Sequence, residues 1–187
     1  LKYKEQSLAV YLNDLSARLA APGGGSAAAL SASLGAALVS MVINFTIGKK
    51  KYAGYEKELA VLLDKSEKLK FQLLDMVDLD VAAYASKNLR DALDVPFMVC
   101  RLSFEAAKLC PPLVKKGNIN LISDVGVAIA LLEAAFFSAL LNVEINLKSL
   151  ADAKLASSIR KELDKKAKDI KKIRAKTEAQ VVKAIRG

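Results

Sequence analysis

The chain has 187 residues, enough for one domain with a sizeable core, and is 53% hydrophobic but only 6% aromatic. It contains no histidine, which excludes Ser-His-Asp and Cys-His catalysis and histidine-ligated zinc, so acid–base work falls to Asp, Glu, Lys, Tyr or a bound group. The net charge of +9 is concentrated late: from Ala151 onward there are 12 basic and 5 acidic residues, and the rest is nearly balanced.

A core of Ala, Leu, Val and Ile, with Pro and Gly confined to a few points, predicts long close-packed helices. The first, over 7–20, has helical spacing at Leu8, Leu12, Leu15 and Leu19 and should end at Pro22. After the run Pro22-Gly-Gly-Gly-Ser26, an uncharged Ala-rich helix is expected over 26–47, closed by Gly48. Its face Ser26, Ala29, Ser33, Ala36 or Ala37, Ser40 and Asn44 is small enough for another backbone to approach closely. The segment is long enough to span a bilayer. Ser31, Ser33, Ser40, Asn44 and Thr46 dilute it, however, and no aromatic belt flanks it. We therefore read it as the buried helix of a soluble protein, with no membrane partner and no signal peptide. The glycine run lacks the Gly-Lys-Ser/Thr of a Walker loop and follows no strand. It is either a tight corner between helices or an accessible helix N-terminus, with Ser26 as the expected cap.

A third helix is expected over 55–89, with an apolar stripe through Leu59, Leu62, Ser66, Leu69, Leu73 and Met76. Asp80 then occupies a position where a hydrophobe belongs, whereas Asp75 and Asp78 fall off the stripe as ordinary exposed acids. A carboxylate facing a core must be paired, hydrogen-bonded or functional, because burying it alone is costly. Pro96 is expected at the first position of a helix over 96–109, which stops at Pro111-Pro112. Cys100 and Cys110 lack metal spacing and read as core thiols of a reduced cytoplasmic protein.

Gly117 and Asn118 open a helix over 119–151. Asp124 lies in its first turn, where the helix dipole favours an acid anyway. Its face continues through Ala128, Leu131, Ala135, Ser138 and Asn142, small or polar enough to leave room for a ligand. Asn118, Asn120 and Ser123 surround the same helix start. The last helix, over 155–185, keeps a stripe at Leu155, Ile159, Leu163, Ala167, Ile170, Ile173, Val181 and Ile185, with its charges off that stripe. This reads as a solvated face, or as attraction for a polyanionic small molecule. It lacks the interleaved aromatics or reading motif of a nucleic-acid surface, so no nucleic-acid partner is expected. The whole is an all-α, up-and-down bundle of long antiparallel helices forming one domain over 1–187.

The order APGGGSAAALSASLGAALVSMV, FTIGKKKY, LDMVDLDVAAYASKNL, KKGNINLISDVGVAIALLEAA and NVEINL resembles the cyclodeaminase/cyclohydrolase family over essentially the whole chain. The resemblance implies a dimerising, cytoplasmic, all-helical subunit acting on tetrahydrofolate one-carbon derivatives, including polyglutamylated ones, without metal or cofactor. Formiminotetrahydrofolate cyclodeaminase activity is the expected reaction. The alternatives are methenyltetrahydrofolate cyclohydrolase activity and a non-catalytic folate-binding helical protein. No formiminotransferase segment is recognised, so a stand-alone version is expected. By the same resemblance Gly23, Gly24, Gly25 and Ser26 match the family's glycine motif and Asp80 its catalytic acid. Asn118, Ser123 and Asp124 match a second cluster, and Lys49 and Lys50 lie where basic residues hold substrate. Asp80 is expected to shuttle a proton, and Asp124 to stabilise the developing cation or orient Asp80.

Overall fold

Uncharged throughout, the segment after the glycine run forms the central helix of the bundle. A computed structural model describes residues 2–187. Among these the α-helices are α1 (Leu8–Ser16), α2 (Gly24–Asn44), α3 (Glu56–Ser86), α4 (Leu89–Ala107), α5 (Cys110–Lys116), α6 (Ile122–Leu150) and α7 (Ala153–Arg186). Short 3-10 turns occupy Tyr3–Glu5, Lys50–Tyr55 and Ile119–Leu121, and no strand is present among the described residues.

The small face of α2 does what its composition predicts. Ser26, Ala29, Ser33, Ala36 and Ser40 are buried, whereas Asn44 at the end of that face is exposed. The Ser33 hydroxyl donates to the Lys70 carbonyl at 3.0 Å, and the Ser40 and Ser66 hydroxyls meet at 2.8 Å. These contacts set α3 antiparallel to α2. On the other side Gly35 lies against Leu132 and Ala128, and Gly24 lies beside Asn142, so α6 is also antiparallel to α2. The α4–α6 pair is fixed by Asn146 against Ala92 and by the Cys100 thiol against the Phe136 carbonyl. Arg160–Glu144 and Arg174–Glu133 tie α7 to α6, and a two-bond Arg101–Glu162 pair ties it to α4. Ile159, Leu163, Ile170 and Val181 of the α7 stripe are buried, while Ile185 is exposed. Cys100 and Cys110 are free and buried, and burial pushes both thiols up to about 12. Both α2 and the Ile119–Leu150 segment are long and apolar enough to cross a membrane by length and composition, but α2 spends its small face inside the bundle.

Four local expectations are corrected. The first helix stops at Ser16, and its leucine stripe is not its buried face. Leu8, Leu12 and Leu19 are exposed, and Tyr11 anchors the helix instead, edge-on to Tyr3. The third helix ends at Ser86, because Lys87 adopts a left-handed φ of 56° and Asn88 caps the next helix by accepting from the Arg90 N–H. Pro96 lies inside α4, not at its start. Proline has no N–H to donate to the carbonyl four residues back, and Asn146 supplies the missing donor to that Ala92 oxygen at 2.5 Å. Finally, Pro111 and Pro112 begin the short α5, where proline is tolerated, as well as following α4.

A methyl group on Gly35 would stand 2.7 Å from Leu132 Cγ and 3.2 Å from the Ala128 carbonyl. Gly35→Ala is therefore expected to lower stability by about 1–3 kcal/mol through overpacking, measured as an earlier midpoint in chemical denaturation.

Candidate active site

The first turn of a helix leaves backbone N–H groups without intrahelical partners. In α2 these belong to the glycine run, and Gly23, not Ser26, holds the cap position. The Ser26 hydroxyl is turned inward to the Tyr11 hydroxyl at 3.2 Å. Its backbone N–H donates instead to Asp80 Oδ2 at 2.9 Å, so an acid from α3 does the capping. Gly25 permits this, since a methyl group there would lie 2.1 Å from Asp80 Oδ1.

Asp80 is half-buried, as its place in the apolar stripe implies. Burial pushes its carboxyl above the ordinary carboxylate value, against the opposing pull of the Ser26 N–H. The adjacent Tyr11 phenol is also pushed up by burial. The Ser26 hydroxyl bond works against that rise, and the Asp80 charge adds to it. Asp75 and Asp78, expected to be plain surface acids, clasp the N-terminal segment. Asp78 Oδ1 accepts from the Tyr3 N–H at 2.6 Å, and Asp75 pairs with Lys4 at 2.8 Å.

A cavity of about 300 Å³ opens beside Asp80. Gly23, Gly24 and Gly25 form one wall, and Asn142 and Asn146 of α6 form another. Tyr84, Ala92 and Ile145 add apolar surface, and Asp80 is its one charged lining residue. Ser26 lies directly behind, so the structure brings together the glycine motif, Ser26 and Asp80.

It does not bring the remaining predicted residues there. Asn118 is buried at the far end of α2. Its backbone N–H donates to Thr46 Oγ1, its Nδ2 to the Phe45 carbonyl, and its Oδ1 accepts from the Asn120 N–H. It therefore staples the corner between α2 and α6. Asp124 is half-buried in the first turn of α6, and Ser123, Lys49 and Lys50 are exposed around the same end. Ser26 and Thr46 are separated by most of α2, roughly 30 Å at 1.5 Å per residue. Within one subunit Asp124 therefore does not touch or orient Asp80.

Asn142 and Asn146 are the cavity residues that sequence reasoning left without a role. Asn142 closes the small face that begins at Asp124, and the four-residue spacing in NVEINL was their available signal. Tyr11 carried none, because the leucines around it dominate the local pattern.

The family described as formiminotransferase-cyclodeaminase matches residues 7–87 and 85–165 of this chain. The methenyltetrahydrofolate cyclohydrolase of Methylorubrum extorquens is 40% identical over 182 residues, covering 85% of this chain and 88% of that protein. The formimidoyltransferase-cyclodeaminase of Rattus norvegicus is 32% identical over 79% of this chain, and the match spans 32% of the rat protein's length. The crystal structure of formiminotetrahydrofolate cyclodeaminase from Thermotoga maritima superposes with a TM-score of 0.84 at 28% identity, covering 98% of each chain.

Because its folded-state value is raised, Asp80 favours the fold below the ordinary carboxylate range, and that contribution is lost as pH climbs through the raised value. A carboxyl-carbon NMR titration should show Asp80 titrating above the ordinary carboxylate value. Gly25→Ala, which expels the carboxylate from its seat, should return it toward the ordinary value; an unchanged midpoint in that variant would contradict the seat.

Proposed function

The chain belongs to the formiminotransferase-cyclodeaminase family and is a folate one-carbon enzyme, and we propose that it converts 5-formiminotetrahydrofolate to 5,10-methenyltetrahydrofolate and ammonia. The observation that carries this reading is a lone, half-buried Asp80 carboxyl, raised by burial, in a cavity with no basic lining residue. The formimino group is a cationic amidine, and the Asp80 carboxylate pairs with it. Nitrogen 10 attacks the formimino carbon, and its proton passes to Asp80 as the new C–N bond forms. The neutral tetrahedral aminal then takes that proton on its amino group. Ammonia leaves with the electron pair of its C–N bond, and the methenyl cation closes. One carboxyl serves as base and then as acid, a task for which a value raised toward neutrality is suited. This sequence of bond changes needs no metal or added cofactor, and buried thiols suit a cytoplasmic setting.

A second reading has its own support, the 40% identity to a methenyltetrahydrofolate cyclohydrolase of similar length. There water adds to the methenyl carbon at the same acid, and nitrogen 5 departs to leave 10-formyltetrahydrofolate. Parallel assays of the methenyl absorbance, rising from 5-formiminotetrahydrofolate or falling from the methenyl compound, decide between the two. In either, Asp80→Asn keeps an oxygen for the Ser26 N–H, so the fold should survive. Turnover should fall by about 100-fold or more, the usual weight of a general acid–base group; near-normal rates would sink the assignment.

The functional unit is a homodimer. α2 has no charged residue, yet Leu34 is 51% exposed, and Leu141 and Ile145 of α6 are 72% and 67% exposed on the same side. A second copy packed on this face about a two-fold axis, with α2 antiparallel to its mate, juxtaposes opposite ends of the two subunits. The Asp80 cavity of one then faces Lys49, Lys50, Ser123 and Asp124 of the partner subunit, reuniting the two halves of the motif set. Leu141→Glu should be silent for a monomer but should dissociate this dimer in sedimentation analysis and lower activity with it. In this dimer the lysines hold the substrate's glutamate tail, so affinity for polyglutamylated folate should fall more steeply with salt than affinity for the monoglutamate. Equal salt slopes would remove the lysines from the site.

A further inference from the structure

We propose that Asn142 and Asn146 form an acceptor pair that reads the N–H groups of the substrate's one-carbon amidine, making them specificity-determining residues for a formimino group over a methenyl bridge. The proposal rests on the folate reading above and deepens it.

The orientation of both carboxamides is dictated by what they face. Pro96 leaves the Ala92 carbonyl without its helical donor, and Asn146 Nδ2 donates to that oxygen at 2.5 Å. A carbonyl only accepts, so the carboxamide nitrogen must face it and the oxygen must turn away. Asn142 obeys the same logic one turn earlier, donating from Nδ2 to the Ser138 carbonyl at 2.9 Å. Both side chains line the Asp80 cavity. Among the described residues neither Oδ1 makes a hydrogen bond, and neither is sealed from solvent. Asp80 Oδ1 is likewise unused, since Ser26 takes Oδ2. The cavity thus offers three side-chain oxygen acceptors from these residues, one of them a carboxylate, and no Lys or Arg of its own subunit lines it.

The complement of such a wall is a planar cation rich in N–H. A formimino group on nitrogen 5 ends in NH2+ and carries two such donors. In the methenyl bridge both nitrogens are fully substituted and the one-carbon unit has no N–H. It keeps the attraction to Asp80 but has nothing to give the carboxamides. Asp80 therefore serves either cation, and the Asn pair serves one of them.

The test compares wild type with Asn142→Leu, Asn146→Leu and Pro96→Ala. The readouts are kcat/KM for 5-formiminotetrahydrofolate and Kd for 5,10-methenyltetrahydrofolate and for unsubstituted tetrahydrofolate. Losing a hydrogen bond to a charged group should lower the formimino kcat/KM about 10- to 100-fold in each Leu variant, with both Kd values moving less than about threefold. Pro96→Ala returns an N–H to the Ala92 carbonyl and releases Asn146, so it should reduce discrimination without lowering Tm. This variant keeps the question open to refutation should Asn146→Leu unfold. Equal losses for all three folates, no loss for any, or a selective loss of methenyl affinity would overturn the proposal. A wild-type protein that binds none of the three would instead sink the folate reading itself, and the acceptor pair with it.

Discussion

The contact between the Asp80 carboxylate and the first turn of α2 is the constraint around which the bundle is arranged. A helix start with no side-chain cap of its own must find an acceptor for its free N–H groups. The acceptor here arrives from α3, in the last third of that helix. It fits only because residue 25 has no side chain. Two opposing demands meet on the carboxyl. Burial disfavours its charge, while the Ser26 N–H and the positive end of α2 favour it, and burial prevails. A carboxyl held in that balance keeps its proton to higher pH than an exposed one. The carboxylate that caps α2 is the one proposed above to move the proton.

That contact dictates much of the remaining design. For Asp80 to reach Ser26, α2 and α3 must run antiparallel and close together, and the serine contacts at Ser33 and Ser40 hold that register along their length. For the cavity to have a second wall, α6 must approach α2 equally closely from the other side, which Gly35 allows. A helix pressed on two sides has no room for long polar side chains. This gives a packing reason why α2 carries no charge over its whole length. Its remaining outward strip, with Leu34 and with Leu141 and Ile145 of α6, is exposed apolar surface.

Much of this was legible in the residues. Asp80 stood out because it interrupts a stripe of three- and four-residue gaps, and the structure finds it half-buried where that interruption implies. The small face of α2 was equally plain. Other features were hidden for stated reasons. The leucines of α1 imitate a buried stripe, yet the helix is held by Tyr11, which reaches Ser26 from a position the leucine pattern obscures. Pro96 looks like a helix start because its missing N–H normally forbids the interior. It is tolerated because Asn146, distant in sequence, donates to the abandoned carbonyl. No local rule anticipates a donor supplied by another helix.

The sequence by itself determined the helical class, the resemblance to a folate-processing family, and the identity of the one acid out of place. These follow from periodicity, composition and motif order, which are properties of neighbouring residues. Only the tertiary structure decided which of the singled-out residues share a site. It joined the glycine turn and Asp80 to Asn142 and Asn146, and it sent Asn118 and Asp124 to the opposite end of α2. The reason is geometric: a helix translates each turn of sequence into about 5.4 Å of distance. Residues that read as one set along the chain can therefore stand a whole bundle apart, and antiparallel packing alone determines which ends meet.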